Sequence, residues 1–204
     1  TCLRFREATS SDTNVIVFRG GKKCSSNLGM IGGQQEIILS YPWCRKIRTV
    51  LHEIGHAIGL VHEHQRPDRD KFVEIVNKNI LPEELDEFSI YKTGEVDQMN
   101  VPYDYSSIMH YNVYAFSNNK LKTIRVLKPV NEDIIGKLDK LSSADIEIVN
   151  KMYNCPALGG CRDERDTCVT FARSGFCNRN REQAVQLCPK TCRLCDQRMG
   201  LLLR

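Results

Sequence analysis

No run in the 204 residues approaches the ~18 consecutive apolar positions of a membrane-spanning helix, so a span is excluded. There is no N-x-Ser/Thr sequon, and N-glycosylation is not expected. Internal repeats and low-complexity tracts are also missing. Excess charge is small: 29 Lys plus Arg stand against 25 Asp plus Glu. The basic residues form no dense run interleaved with aromatics, which argues against a nucleic-acid partner. A net charge of +4 with 41 % hydrophobic residues argues against disorder. The chain opens at Thr1-Cys2 with no leader. A disulfide protein needs an export signal, so a processed or truncated form is expected.

What is abundant is cysteine. Ten of them, an even count, is high for a cytosolic chain of this size and usual for a secreted one. Cys2, Cys24, Cys44 and Cys155 are spread out, and four cysteines allow three pairings. Cys161, Cys168, Cys177, Cys188, Cys192 and Cys195 fall within 35 residues. A segment that short buries little core and is expected to rely on three disulfides. The sequence therefore divides into 1–155, a Pro/Gly linker at 156–160 (PALGG), a module at 161–195 and a tail at 196–204. Residues 1–160 hold 20 basic and 20 acidic side chains, and residues 161–204 hold 9 and 5. The basic excess on the module suits a solvated surface, or less simply an acidic partner.

Asn14–Phe18 (NVIVF), closed by Gly20-Gly21, reads as a strand and turn. Gln34–Leu39 (QQEIIL) reads as a second strand, ended by Pro42. From Lys46, Ile47, Leu51, Ile54 and Ile58 share one helical stripe at ~100° per residue. His52 and His56 lie roughly 120–160° from that stripe. Gly59 is placed where a helix ends with positive φ. Leu81–Ile90 reads as a helix starting near Pro82, and Ser142–Met152 as another capped by Ser143 and packed through Ile146, Val149 and Met152.

Four of the five histidines, His52, His56, His62 and His64, fall within 13 residues; His110 stands alone. Two imidazoles at i and i+4 on a helix reach one small cation. A helix ending at Gly59 lets the chain return His62 to the same ion. Three neutral imidazoles leave a Zn²⁺ with a free coordination position, the catalytic rather than the structural pattern. Glu53 follows His52 and points elsewhere, beside the metal, where it can take a proton from water and pass it to a leaving amine. Chance gives His-Glu-x-x-His in under roughly 1 % of such sequences, and adding Gly59 and His62 makes it about one in 100,000. His64 continues neither spacing and is read as a non-ligand.

HEIGHAIGLVHE followed by HQRPDRD resembles the extended zinc signature of the astacin family of metzincin endopeptidases. Glu63, after the third histidine, is the astacin choice and sets the chain apart from serralysin-like and matrixin-like enzymes. Ser107-Ile108-Met109-His110-Tyr111 resembles the family's Met-turn. From spacing alone Met109 and Tyr111 are core residues. The resemblance implies that Met109 lies beneath the metal, and that Tyr111 is a weak extra ligand that moves to stabilise an oxyanion. It implies an α+β fold: a two-subdomain zinc protease with a mixed sheet and zinc helix, then a mostly irregular second half with a helix. It also implies the pairs Cys2–Cys155 and Cys24–Cys44, and a substrate lying antiparallel to an edge strand, matched here to Gln34–Leu39. The strand and helix that open family domains have no counterpart in the sequence, so Glu63 is expected without its usual amino-terminal partner.

Cys161 to Cys195 resembles the ShKT module, which implies the pairs Cys161–Cys195, Cys168–Cys188 and Cys177–Cys192. Channel-blocking toxins of this type carry a Lys-Tyr pair where this chain has Glu182-Gln183, so channel block is not expected. A zinc knuckle is the other reading of such cysteines, and the lack of nearby histidine opposes it. The sequence thus predicts a secreted, monomeric zinc endopeptidase acting on protein or peptide substrates, extracellular matrix among them. The alternative is a silent protease-like binding protein that presents the ShKT module, and retention of Glu53 speaks against it.

Overall fold

The computed structural model describes residues 1–155 and 163–194. Two compact units are present: Arg6–Ile148, and a second that joins Thr1–Phe5 to the described residues from Val149 onward. No helix among the described residues is long and apolar enough to cross a membrane.

In the Arg6–Ile148 unit, β1 (Val15–Gly21), β2 (Ser25–Ser26) and β3 (Gln34–Ser40) form a sheet in the order β1-β3-β2. β1 runs parallel to β3, with Val15 opposite Gln34, and β2 runs antiparallel, with Ser25 opposite Ile38. Two expectations change here. Gly20 and Gly21 continue the strand rather than turn it; a Cβ on Gly21 would lie 2.3 Å from the Ile38 side chain, so glycine is there for space. The strand Gln34–Leu39 is also not an edge. β3 is central among the described strands, with β1 on one edge and the antiparallel β2 on the other. β3 buries Gln35 and Ile37 on one face, and the Gln35 amide ties down Gly29 and Ile31 of the preceding loop.

The Cys24–Cys44 disulfide joins the start of β2 to the turn before α1 (Ile47–Ala57). The predicted apolar stripe of α1 is only part-buried, and Ile47 is exposed. The deeply buried positions are Glu53, Gly55 and Ala57. The helix ends as predicted around Gly59. At φ +99° its N–H donates to His56 O, and Leu60 N donates to Gly55 O, the paired bonds of a Schellman motif.

Beyond the helix, a two-stranded antiparallel sheet of β4 (Val73–Ile75) and β5 (Ile124–Val126) supports a core of Val73, Ile80, Phe88, Tyr103 and Ile124. Pro82–Phe88 forms a 3-10 helix, not the α-helix expected over Leu81–Ile90. In α2 (Ser143–Met152) the cap is Ser142, one residue earlier than expected. Its Oγ accepts from Asp145 N and its own N–H donates to Asp145 Oδ2, a reciprocal box.

Asp145 links this helix end to the Ser107–Tyr111 turn. It is buried and also accepts from Ser107 Oγ at 2.7 Å and Ile108 N at 2.9 Å. Asp145→Ala strands those donors in the interior. Thermal and denaturant unfolding are expected to show a loss of roughly 2–4 kcal/mol, more than one charge-assisted bond. An unchanged midpoint would remove Asp145 as the anchor of the turn.

The second unit holds the Cys2–Cys155 disulfide and three short helices, α3 (Cys168–Arg173), α4 (Phe176–Arg179) and α5 (Arg181–Leu187). Its helical core is Ala184, Val185 and Leu194 with Phe176 and Cys192, too small to hold by burial alone. Cys168–Cys188 and Cys177–Cys192 cross-link it. The expected Cys161–Cys195 pair, the linker 156–160 and the tail 196–204 lie outside the described residues.

Candidate metal centre

α1 projects His52 and His56 from one face, one turn apart, and the Schellman end at Gly59 returns the chain so that His62 meets them. His52 Nε2 and His62 Nε2 are 3.2 Å apart, and His56 Nε2 and His62 Nε2 are 3.1 Å apart. The three ligating nitrogens all lie within 4.8 Å of one another.

The opposite nitrogens decide the tautomers. His52 Nδ1 donates to Ile108 O at 2.9 Å, His56 Nδ1 to Leu60 O at 2.8 Å and His62 Nδ1 to Gln65 Oε1 at 2.9 Å. Each Nδ1 therefore carries the proton, and each Nε2 turns a lone pair toward the shared point. Three lone pairs cannot bond one another. Tetrahedral zinc with Zn–N near ~2.05 Å separates its nitrogens by ~3.3 Å, close to what is found. Burial, reinforced by the neighbouring imidazoles, holds His52 down at about 4 and His62 well below its ordinary value, so both rings are neutral and ready to ligate. Burial lowers His56 as well. The donor set fits zinc.

Glu53 follows His52 on the same helix and is 4 % exposed. Its Oε2 has no partner among the described residues, and burial pushes the carboxyl up to about 7 against the opposing charge of Lys23. A buried carboxylate oxygen without a donor among the described residues is suited to a water molecule.

Met109 is 2 % exposed and packs on α1 where a Cβ on Gly55 would come within 2.7 Å of its Sδ. Tyr111 stacks on His64, with ring centroids 4.2 Å apart, and lies tilted against His62 at 4.5 Å. Its hydroxyl donates to Glu87 Oε2 at 3.2 Å. Burial and then the Glu87 charge raise the phenol above its usual range, so it stays a donor. His64 stands outside the convergent set; it is buried, with Nε2 donating to Glu87 O. His110 is buried too, accepting from the Tyr103 hydroxyl at 2.7 Å and donating through Nδ1 to Tyr111 O.

Glu63 is not left alone. Its Oε1 accepts from Arg66 Nη1 at 2.9 Å and from Asp104 N at 2.8 Å. Arg66, itself buried, also bridges to Asp68 and Val101 O. Among the described residues its carboxylate is thus held by a guanidinium three residues away and a backbone amide. Burial still pushes Glu63 up to about 7, with Arg66 opposing.

Sequence reasoning missed Arg48, Gln65 and Glu87. Arg48 stands one turn before His52, and its Nη2 donates to His110 O at 3.0 Å and Ile108 O at 3.3 Å, so it shares the Ile108 carbonyl with His52. The i−4 spacing of Arg48 and the i+3 spacing of Gln65 from His62 were available signals. Glu87 had none, because a fold contact alone brings it to Tyr111.

A family model described as Astacin, a peptidase family, matches residues 1–154, and one described as ShK domain-like matches residues 160–195. The chain is 39 % identical over 175 residues to Protein SpAN of Strongylocentrotus purpuratus, covering 83 % of this chain and 28 % of that protein. It is 34 % identical over 190 residues to Zinc metalloproteinase nas-36 of Brugia malayi, covering 93 % and 31 %. The chain spans about a third or less of the length of these two curated relatives. Among solved structures, high choriolytic enzyme 1, a hatching enzyme zinc-protease from Oryzias latipes, superposes with a TM-score of 0.69 at 38 % identity, covering 76 % of each chain. The extended histidine signature, the convergent imidazoles and these matches agree that the chain belongs to the astacin family of peptidases, with an ShK-like segment following the protease domain.

Proposed function

We propose that this chain is a secreted, zinc-dependent endopeptidase that acts as a monomer on proteins or peptides, extracellular matrix included. The observation that carries the reading is the meeting of three bare Nε2 atoms on and just after a helix that also buries Glu53, next in sequence to His52, with its Oε2 unpartnered among the described residues. His52, His56 and His62 are the ligands, and Met109 packs under them from the turn that Asp145 and Arg48 hold.

A zinc ion supplies concentrated positive charge that acidifies water to a pKa near ~7 and polarises a carbonyl oxygen. Glu53 accepts the proton of the attacking water at Oε2 and delivers it to the leaving nitrogen. Tyr111 turns its hydroxyl from Glu87 to the carbonyl oxygen as negative charge grows there. An extended peptide gains backbone bonds along edge strand β2, in place of Gln34–Leu39. Secretion is supported by the four described disulfides. The domain division is assigned as 1–155 protease, 156–160 linker, 161–195 ShK-like module and 196–204 tail. The silent binding protein is disfavoured because Glu53 and all three ligands are in place.

Phenanthroline is expected to abolish hydrolysis of a casein-type substrate, and added zinc to restore it. Hydrolysis insensitive to the chelator would overturn the reading.

A further inference from the structure

Glu87 stands at the metal centre without a part in the chemistry above. It is exposed on the 3-10 segment Pro82–Phe88 and lines a cavity of about 330 Å³. One wall of that cavity is the imidazoles of His56 and His62; another is Ser26 and Leu28, on and just after edge strand β2. A peptide paired with β2, with its scissile bond at the imidazoles, therefore passes a side chain over this cavity. The formal charge on its lining is of one sign: Asp86 and Glu87 contribute carboxylates, and no Lys or Arg is among the lining residues.

The bond between Tyr111 and Glu87 adds a second constraint. The Tyr111 hydroxyl has one proton and cannot donate to Glu87 and to a substrate oxygen at once. When it turns to the substrate, Glu87, which is exposed, has water in place of that donor. A guanidinium or ammonium in the cavity supplies a charge-assisted replacement.

We propose that Glu87 selects substrates with an Arg or Lys side chain next to the scissile bond, and that this cation displaces the Tyr111 hydroxyl and frees it for the carbonyl oxygen. The inference rests on the endopeptidase reading and deepens it. It makes the preference appear in kcat as well as in KM, because the cation acts on the group that stabilises the transition state.

The test uses the zinc-loaded chain and quenched-fluorescent peptides that carry Arg, or its neutral isostere citrulline, at each position flanking the cleaved bond in turn. At one position Arg is expected to be favoured by about tenfold in kcat/KM, the size of one charge-assisted bond. In Glu87→Gln that ratio is expected to fall to about one. In Tyr111→Phe the kcat part of the preference is expected to vanish while the KM part remains. A flat ratio at every position in an active protein, or a ratio that survives Glu87→Gln, overturns the proposal. A preference confined to KM overturns the coupling to Tyr111. Failure to cleave any peptide would instead overturn the endopeptidase reading, and this inference with it.

Discussion

Glu53→Gln is expected to cut kcat/KM for a casein-type substrate by roughly 10²–10⁴, the usual contribution of a positioned acid–base group. That corresponds to about 3–5.5 kcal/mol of transition-state stabilisation. The amide keeps the shape of the side chain but has no lone pair basic enough to take a proton from water. Zinc content is expected to stay the same, since Glu53 is not among the three convergent nitrogens. Stability is expected to hold or rise. Burial already disfavours the ionised carboxylate, pushing it up to about 7, and its Oε2 has no partner among the described residues. The combination of lost turnover, retained metal and retained fold separates a proton shuttle from a ligand or a packing residue. Undiminished hydrolysis in this variant would show that the base has been misassigned.

Tyr111→Phe is expected to lower kcat by roughly 10–10³ with little change in metal content, the range seen when one oxyanion donor is removed. The ring's contacts with His62 and His64 survive the change, so the ligand geometry is expected to be preserved. What is lost is the hydroxyl, which burial and the Glu87 charge keep protonated. The effect belongs in kcat because the donor meets the carbonyl oxygen only as charge develops on it. A variant with full kcat would leave Tyr111 as a packing residue of the Val73–Phe88 core, against which its ring also lies.

The metal site was readable in the sequence because its parts are local. The i, i+4 spacing of His52 and His56 and the positive-φ glycine at 59 lie within one helix and its end, where 3.6-residue periodicity governs. Errors arose where distant chain decides. Gly20 and Gly21 look like a turn until Ile38 of the neighbouring strand is laid over Gly21. Gln34–Leu39 looks like an edge until Ser25–Ser26, too short to stand out, pairs with it. The Leu51–Ile54–Ile58 stripe promised a buried face, whereas Glu53, Gly55 and Ala57 sit deepest because the 107–111 turn packs on the other side of the helix. Ser142 and Ser143 are equivalent as caps until Asp145 chooses Ser142. Arg66 as the partner of Glu63, and Glu87 as the partner of Tyr111, depend on tertiary placement that composition does not carry.

Metal analysis by atomic absorption, on the purified chain and on His62→Ala, tests the shared three-imidazole site most directly. About one zinc per chain is expected in the parent, and a clear loss in the variant, as removal of one of three protein ligands should produce. A parent that carries no zinc, or a variant that keeps its full complement, would contradict the account.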